Sequence, residues 1–144
     1  MRFAFFVTLL ILIDQAIKIK IGSSLRLFES IPVIPKILHI TYVQNRGGAF
    51  GLPIDSRILL GVGIAIILSL IFFYKFFYKE KKLILPIALI LAGSLGNLFD
   101  RMVRGYVIDY IDFRVWPVFN LADILINIGV FVIVLKIVFE KKES

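Results

Sequence analysis

The sequence predicts an all-α membrane protein: a bundle of four transmembrane helices carrying a small sheet on its outer face. Three observations predict it. Apolar residues make up 60% of the 144-residue chain, with a mean hydropathy of +0.96, against roughly 45–50% in a soluble domain. One domain of this length has no soluble core large enough to hide them. Four stretches approach the roughly 20 apolar residues that a spanning helix needs, at about 3–21, 58–78, 83–99 and 121–139. Basic residues gather where alternating spans return to one side: Arg2, the run Lys75 to Lys82, and Lys141 with Lys142. By the positive-inside rule these are cytoplasmic, so both termini lie inside and residues 22–57 and 100–120 face outward.

Each element has its local reason. The first span runs apolar from Phe3 to Ile13 and then meets Asp14, Gln15 and Lys18. It resembles a signal peptide but lacks a small-x-small cleavage site, so it is expected to stay as a helix. The connection 22–57 contains "IPVIPKILHITYVQN", whose β-branched and aromatic residues read as strand, and a small sheet is expected within it. "NRGGAFGLP" follows, with Gly47, Gly48 and Gly51 permitting backbone shapes closed to other residues. Pro86 lies near the start of the third span, where proline is tolerated. The whole is expected to be a single integral membrane domain.

Charge and cysteine narrow the function. The net charge is 17 − 10 = +7, but the lysines sit beside apolar runs, which fits anionic headgroups. No RNA-binding aromatic motif occurs, so no nucleic-acid partner is expected. The chain has no cysteine, which removes disulfides, thiolate metal sites and a cysteine nucleophile.

Placed on this topology, the polar residues converge. Asp14 and Lys18, four apart on one helix face, lie in the outer half of the first span. Asn97, Asp100 and Arg101 end the third span, Asn120 and Asp123 begin the fourth, and Asn45, Arg46, Asp109 and Asp112 lie in the outer connections. Structural readings compete at several of these. Asn120 and Asp123 suit a helix N-terminus, Asp14 and Lys18 suit a neutralising pair, Asp100–Arg101 suits an interfacial anchor, and Asp112 suits a solvated side chain. None explains why the groups collect at one depth. The lone His39 falls in the expected strand, Ser94 has no evident base, and no paired-histidine zinc motif occurs. Two carboxylates sharing a proton are then the economical hydrolytic device, one activating water and the other hydrogen-bonding a carbonyl.

"DQAIK" (14–18), "NRGGAF" (45–50), "GSLGNLFDR" (93–101), "VIDY" (107–110) and "FNLAD" (119–123) occur in the order found in lipoprotein signal peptidases. The chain thereby resembles signal peptidase II, the aspartic peptidases of the bacterial inner membrane. The resemblance implies four transmembrane helices, the β-cradle and a short amphipathic helix over the site. It implies cleavage of prolipoproteins before a diacylglyceryl-cysteine, at the outer face of the membrane, without cofactor or metal. It also implies Asp109 and Asp123 as the catalytic pair, Asn45, Asn97, Arg101 and Asn120 as substrate-binding residues, and Asp14, Lys18, Asp100, Gly47 and Ala122 in support. The expected partners are prolipoprotein substrates and membrane lipid, and the chain is expected to be monomeric. The departures are small: Gly48 stands where alanine is common, and 123 − 109 = 14 residues make a short connection between the two aspartates. Two other classes stay open on the residues alone: a proton-coupled transporter using Asp14, Asp100 and Asp123 as a relay, and a structural adaptor tolerant of Asp→Asn throughout.

Overall fold

A computed structural model describes residues 2–47, 56–77 and 81–140. The order is α1 (Arg2–Ser24), β1 (Ser30–Ile34), β2 (Leu38–Asn45), α2 (Ser56–Phe77), α3 (Lys81–Arg104), β3 (Val107–Asp112) and α4 (Leu121–Glu140). Helix α3 is the axis of the molecule and packs against each of the other three helices. It outruns the expected 83–99, so Asp100 and Arg101 lie inside its last turns and not beyond its end. The core gathers Val7 of α1, Ile67 of α2, Ala88, Leu91 and Ala92 of α3, and Leu125 of α4.

Small residues let α3 and α4 meet backbone to backbone, as they do where lipid gives no hydrophobic drive for association. A Cβ on Gly93 would collide with the Ala122 carbonyl oxygen. One on Gly129 would lie 2.7 Å from the Pro86 carbonyl, and one on Gly96 would lie 2.7 Å from Asp14 Oδ2.

Three segments are long and apolar enough to cross a membrane: Arg57–Lys75, Lys81–Arg104 and Leu121–Phe139. Helix α1, the fourth span expected, has the length at 23 residues, but every 18-residue stretch of it holds three charged residues. Two of these, Asp14 and Lys18, are buried in the bundle, while Phe5, Leu12, Ile13 and Ile19 stay exposed. Helices α2 and α4 likewise expose apolar side chains such as Leu68, Phe72, Phe131 and Val138.

The sheet is antiparallel, in the order β1-β2-β3. Its third strand corrects the expectation that the cradle is confined to 22–57: the connection after α3 supplies it. Hydrophobic pattern hid this strand, because "VIDYID" alternates no polar face and is buried at nearly every position. Val43 pairs with Asp109 and Asn45 with Val107, so Asn45 and Asp109 share one face, diagonally. Between Ile40 and Val43, β2 advances three residues while β3 advances two, a bulge. The chain then folds back on itself: Ile111 N–H donates to the Phe119 carbonyl at 2.8 Å, and Phe119 N–H returns a bond of 3.1 Å. That return delivers Asn120 beside β3. Tyr42, Ile108 and Tyr110 pack with Ile17, Ile21 and Leu121, seating the sheet on the ends of α1 and α4.

The four helices named are the helices found among the described residues. The expected amphipathic helix is not one of them. Gly48, Gly51 and part of the basic turn "YKEKK" lie outside the described residues.

Alanine at Gly93 should destabilise the protein by about 1–3 kcal/mol, the cost of overpacking against backbone that cannot yield. Alanine at Gly61, where nothing lies within 4 Å, should be neutral or stabilise by up to about 1 kcal/mol through helix propensity. Thermal unfolding of the two variants in detergent checks the contrast.

Candidate active site

The site is built on the start of α4. A helix begins with backbone N–H groups that have no partner of their own. Asn120 is the N-cap: its Oδ1 accepts the Asp123 N–H at 3.0 Å, and Asp123 Oδ2 accepts the Asn120 N–H at 3.1 Å. This is a reciprocal capping box with aspartate in the third position. The Leu121 N–H donates to Tyr110 Oη of β3 at 3.2 Å, and the Ala122 N–H to Asp14 Oδ1 of α1 at 3.1 Å. Each of these donors is satisfied by a side chain, and three different elements supply them.

The cap fixes the two carboxylates. Because Asn120 Oδ1 faces its own helix, Nδ2 must face away, and it donates to Asp109 Oδ1 at 2.6 Å. Asn120 therefore holds Asp123 with its backbone and Asp109 with its side chain. Asp109 Oδ2 accepts from Asn45 Nδ2 at 3.0 Å, and Asn45 Oδ1 is itself held by the Gly47 N–H at 3.0 Å. Asp123 Oδ1 accepts from Asn97 Nδ2 at 2.8 Å.

Asp109 is 3% exposed, and Asp123 is half-buried. Burial first, and the neighbouring Asp123 charge second, push Asp109 up to about 7, against hydrogen bonds from Asn45 and Asn120 and the Lys18 charge. Burial also pushes Tyr110 up to about 12, so it serves α4 as a neutral hydroxyl.

Behind the carboxylates lies a closed ionic hub. Lys18 is 0% exposed; its ammonium forms ion pairs with Asp14 Oδ2 and Asp100 Oδ2, each at 2.8 Å, and donates a hydrogen bond to Asn97 Oδ1 at 3.0 Å. Arg104 pairs with Asp100 and donates to Gln15 Oε1 at 2.9 Å. Two cations thus balance two carboxylates, the condition under which buried charge is tolerable. The hub also sets an orientation. Lys18 and Asn120 both donate to the Asn97 oxygen, so the amide nitrogen of Asn97 must turn to Asp123.

A cleft of about 900 Å³ opens in front. Asp109, Asp123, Asn45, Asn97, Arg101 and Gly47 line it with Arg46 and Asn127, between apolar walls from Ile66, Ile126 and the segment Trp116 to Phe119. Asp14, Lys18, Asp100, Asn120 and Ala122 stand outside that lining. Ala122 is fully buried.

Two expectations need correction. Asp100 is fully buried between Lys18 and Arg104 and is no interfacial anchor. Asp112 is 6% exposed and not solvated: Thr41 Oγ1 donates to it at 2.7 Å and the Arg114 N–H at 2.7 Å. Asn120 meets both carboxylates from the side away from that lining. Tyr110, Gln15 and Arg104 were not singled out in sequence. Tyr110 and Gln15 lie inside the quoted motifs, but their role depends on where the helix ends meet. Asn127 was also missed, although an amide four residues after Asp123 in an apolar span is itself a signal. Among the described residues no group of three or more His, Cys, Asp or Glu is placed to hold a metal ion.

The sequence model described as signal peptidase (SPase) II matches residues 6–139. The chain belongs to the signal peptidase II family. It is 44% identical to the lipoprotein signal peptidase of Halothermothrix orenii over 132 residues, 90% of each chain. With that of Moorella thermoacetica it shares 41% over 135 residues, 92% of this chain and 90% of the relative. Solved structures of two bacterial membrane enzymes superpose with TM-scores of 0.89 and 0.82 at 29% and 30% identity. They cover 99% and 94% of this chain, and 91% and 92% of their own. The family is thus shared in sequence and in fold, and the protein is a membrane peptidase.

Replacing Lys18 by methionine leaves Asp14 and Asp100 buried with Arg104 alone, and should cost about 3–5 kcal/mol of stability. Thermal unfolding in detergent checks this. Loss of activity with unchanged unfolding would contradict the assignment of Lys18 to the scaffold.

Proposed function

We propose that this signal peptidase II cuts prolipoproteins on the N-terminal side of a diacylglyceryl-cysteine, with Asp109 and Asp123 as its catalytic pair. The observation that carries the pair is Asn120, which bonds both carboxylates at once at the edge of one cleft. Asp123 accepts two hydrogen bonds at the positive end of α4 and faces the cleft, and in this reading it is the carboxylate that meets water. Asp109, buried and facing that charge, keeps the shared proton at rest.

The chemistry follows from that division. Ionised Asp123 takes a proton from water as the water oxygen attacks the scissile carbonyl carbon, and Asp109 gives its proton to the carbonyl oxygen. Collapse of the tetrahedral intermediate breaks the C–N bond. The proton held by Asp123 passes to the leaving amine, and the hydroxyl proton returns to Asp109. Arg101, half-buried at the cleft wall, is placed to meet a substrate carbonyl. Acyl chains lying in lipid beside the bundle would hold the substrate at about 0.8 kcal/mol per buried CH₂.

All four helices span the membrane in this reading, α1 with its charges turned inward. The termini are cytoplasmic, and the site lies at the outer face of the cytoplasmic membrane. Support comes from the clustering of Asp14, Lys18, Asn97, Asp100, Asn120 and Asp123 at one end of the bundle, with Lys75, Lys81, Lys82 and Lys136 towards the other. The protein works as a monomer in this reading, since one chain supplies every group named.

Co-expression with a prolipoprotein tests the pair: Asp109→Asn and Asp123→Asn should each slow signal-peptide removal by about 10²- to 10⁴-fold. Normal processing by either variant would overturn the assignment, and failure of the wild type would overturn the activity.

The pH dependence tests the resting proton. The pair works singly protonated, so activity should fall as pH rises through about 7. Asn45→Ala removes a bond that holds Asp109 down, so its alkaline limb should move to higher pH.

A further inference from the structure

We infer that Asn127 binds the unwound backbone of the signal peptide just ahead of the scissile bond. The inference rests on the peptidase reading above and extends it to a residue outside the quoted motifs. Asn127 follows Asp123 by four residues, so the two share a helix face, with Asn127 about 6 Å further along the axis. It lies within the apolar span Leu121–Phe139. Its side chain is exposed and lines the cleft, near the apolar Ile66 and Ile126.

What separates it from the other asparagines is that, among the described residues, nothing holds its side chain. Asn45, Asn97 and Asn120 each spend both amide atoms on the scaffold: the nitrogens on Asp109 or Asp123, the oxygens on Gly47 N–H, Lys18 or Asp123 N–H. Their hydrogen bonds position the carboxylates and leave little for a ligand. Asn127 has no hydrogen-bond partner among the described residues. A carboxamide in an apolar span is costly unless its polar atoms are met, so a side chain that lines the cleft with no partner among the described residues calls for an occupant of the cleft.

The chemistry of the occupant follows from what proteolysis requires. A signal peptide crossing lipid as a helix satisfies its own backbone, but a bond between two carboxylates must be extended to be attacked. Unwinding frees N–H and C=O groups where there is no water to receive them. A carboxamide offers a donor and an acceptor together, matching a peptide group. The esters of the diacylglyceryl group offer acceptors only and would use half of it. A position one turn deeper than Asp123 suits the segment that leads into the membrane.

The test uses the full chain in lipid nanodiscs and three kinds of synthetic lipidated prolipopeptide. One is unmodified. One series carries a backbone ester in place of the amide, one, two or three residues before the scissile bond. One carries ether-linked chains, lacking the lipid ester carbonyls. Asn127→Leu should lower kcat/KM for the unmodified substrate about tenfold, chiefly through KM, with its Tm unchanged. At one ester position the wild type should lose a similar factor and Asn127→Leu nothing further, while the ether lipid should cost both enzymes equally. Asn127→Ala should repeat the pattern, which guards against a folding defect in one variant.

Unchanged kinetics in both variants would overturn the inference, as would additive losses at every ester position. Non-additivity with the ether lipid would overturn it in favour of a lipid contact. A wild type that cuts none of the substrates would overturn the peptidase reading itself.

Discussion

The first turn of α4 is where the structure is decided. Its opening N–H groups are met by Asn120, Asp123, Tyr110 and Asp14, drawn from α1, β3 and the helix itself. Helix capping is usually a local matter, settled by the residues just before the helix. Here it is also a tertiary contact, because α1 and β3 supply the acceptors for the Ala122 and Leu121 N–H groups. One side chain, Asn120, turns that capping geometry into a functional one. Its oxygen is committed to the cap, its nitrogen must therefore point at Asp109, and the carboxylate of the same cap belongs to Asp123.

Stability and function consequently draw on one set of bonds. The buried Lys18 neutralises Asp14 and Asp100 while it fixes the polarity of the Asn97 amide, which then faces Asp123. Asp14 answers to Lys18 with one oxygen and to the α4 backbone with the other. Gly96 leaves the space that its carboxylate fills. A protein whose lipid-facing surface contributes nothing specific needs its polar interior to define a single arrangement. This interior does so with groups that also set the charge state of the site.

Much of this was legible in the sequence. The apolar runs located the helices, and the gathering of Asp14, Lys18, Asn97, Asp100, Asn120 and Asp123 at one end followed from the alternation of spans. Both readings of Asn120, cap and site residue, describe the same bonds. The rest was hidden for identifiable reasons. The strand carrying Asp109 is buried on both faces, so it lacks the alternation that marks a half-exposed strand. The fate of Asp112 depended on Thr41, which approaches only through the bulged pairing of β2 with β3. The neutrality of the hub depended on Arg104, placed beside Asp100 by a helix that runs five residues past the end the hydropathy pattern indicated, 104 − 99 = 5. Asn127 drew no notice because a lone amide bears no charge, and only the fold places it in the lining of the cleft.

A peptidase of this kind must keep a proton available beside a negative charge, in surroundings that separate it from bulk water. In the proposed mechanism that proton rests on Asp109, retained by burial and the adjoining Asp123. Infrared spectroscopy of the full chain in nanodiscs, following the carboxyl C=O stretch against pH, reads that assignment directly. A protonated carboxyl band should persist to about pH 7 and be absent in Asp109→Asn. Ionisation of every carboxyl below about pH 5, the ordinary carboxylate range, would contradict it, and so would survival of the band in Asp109→Asn.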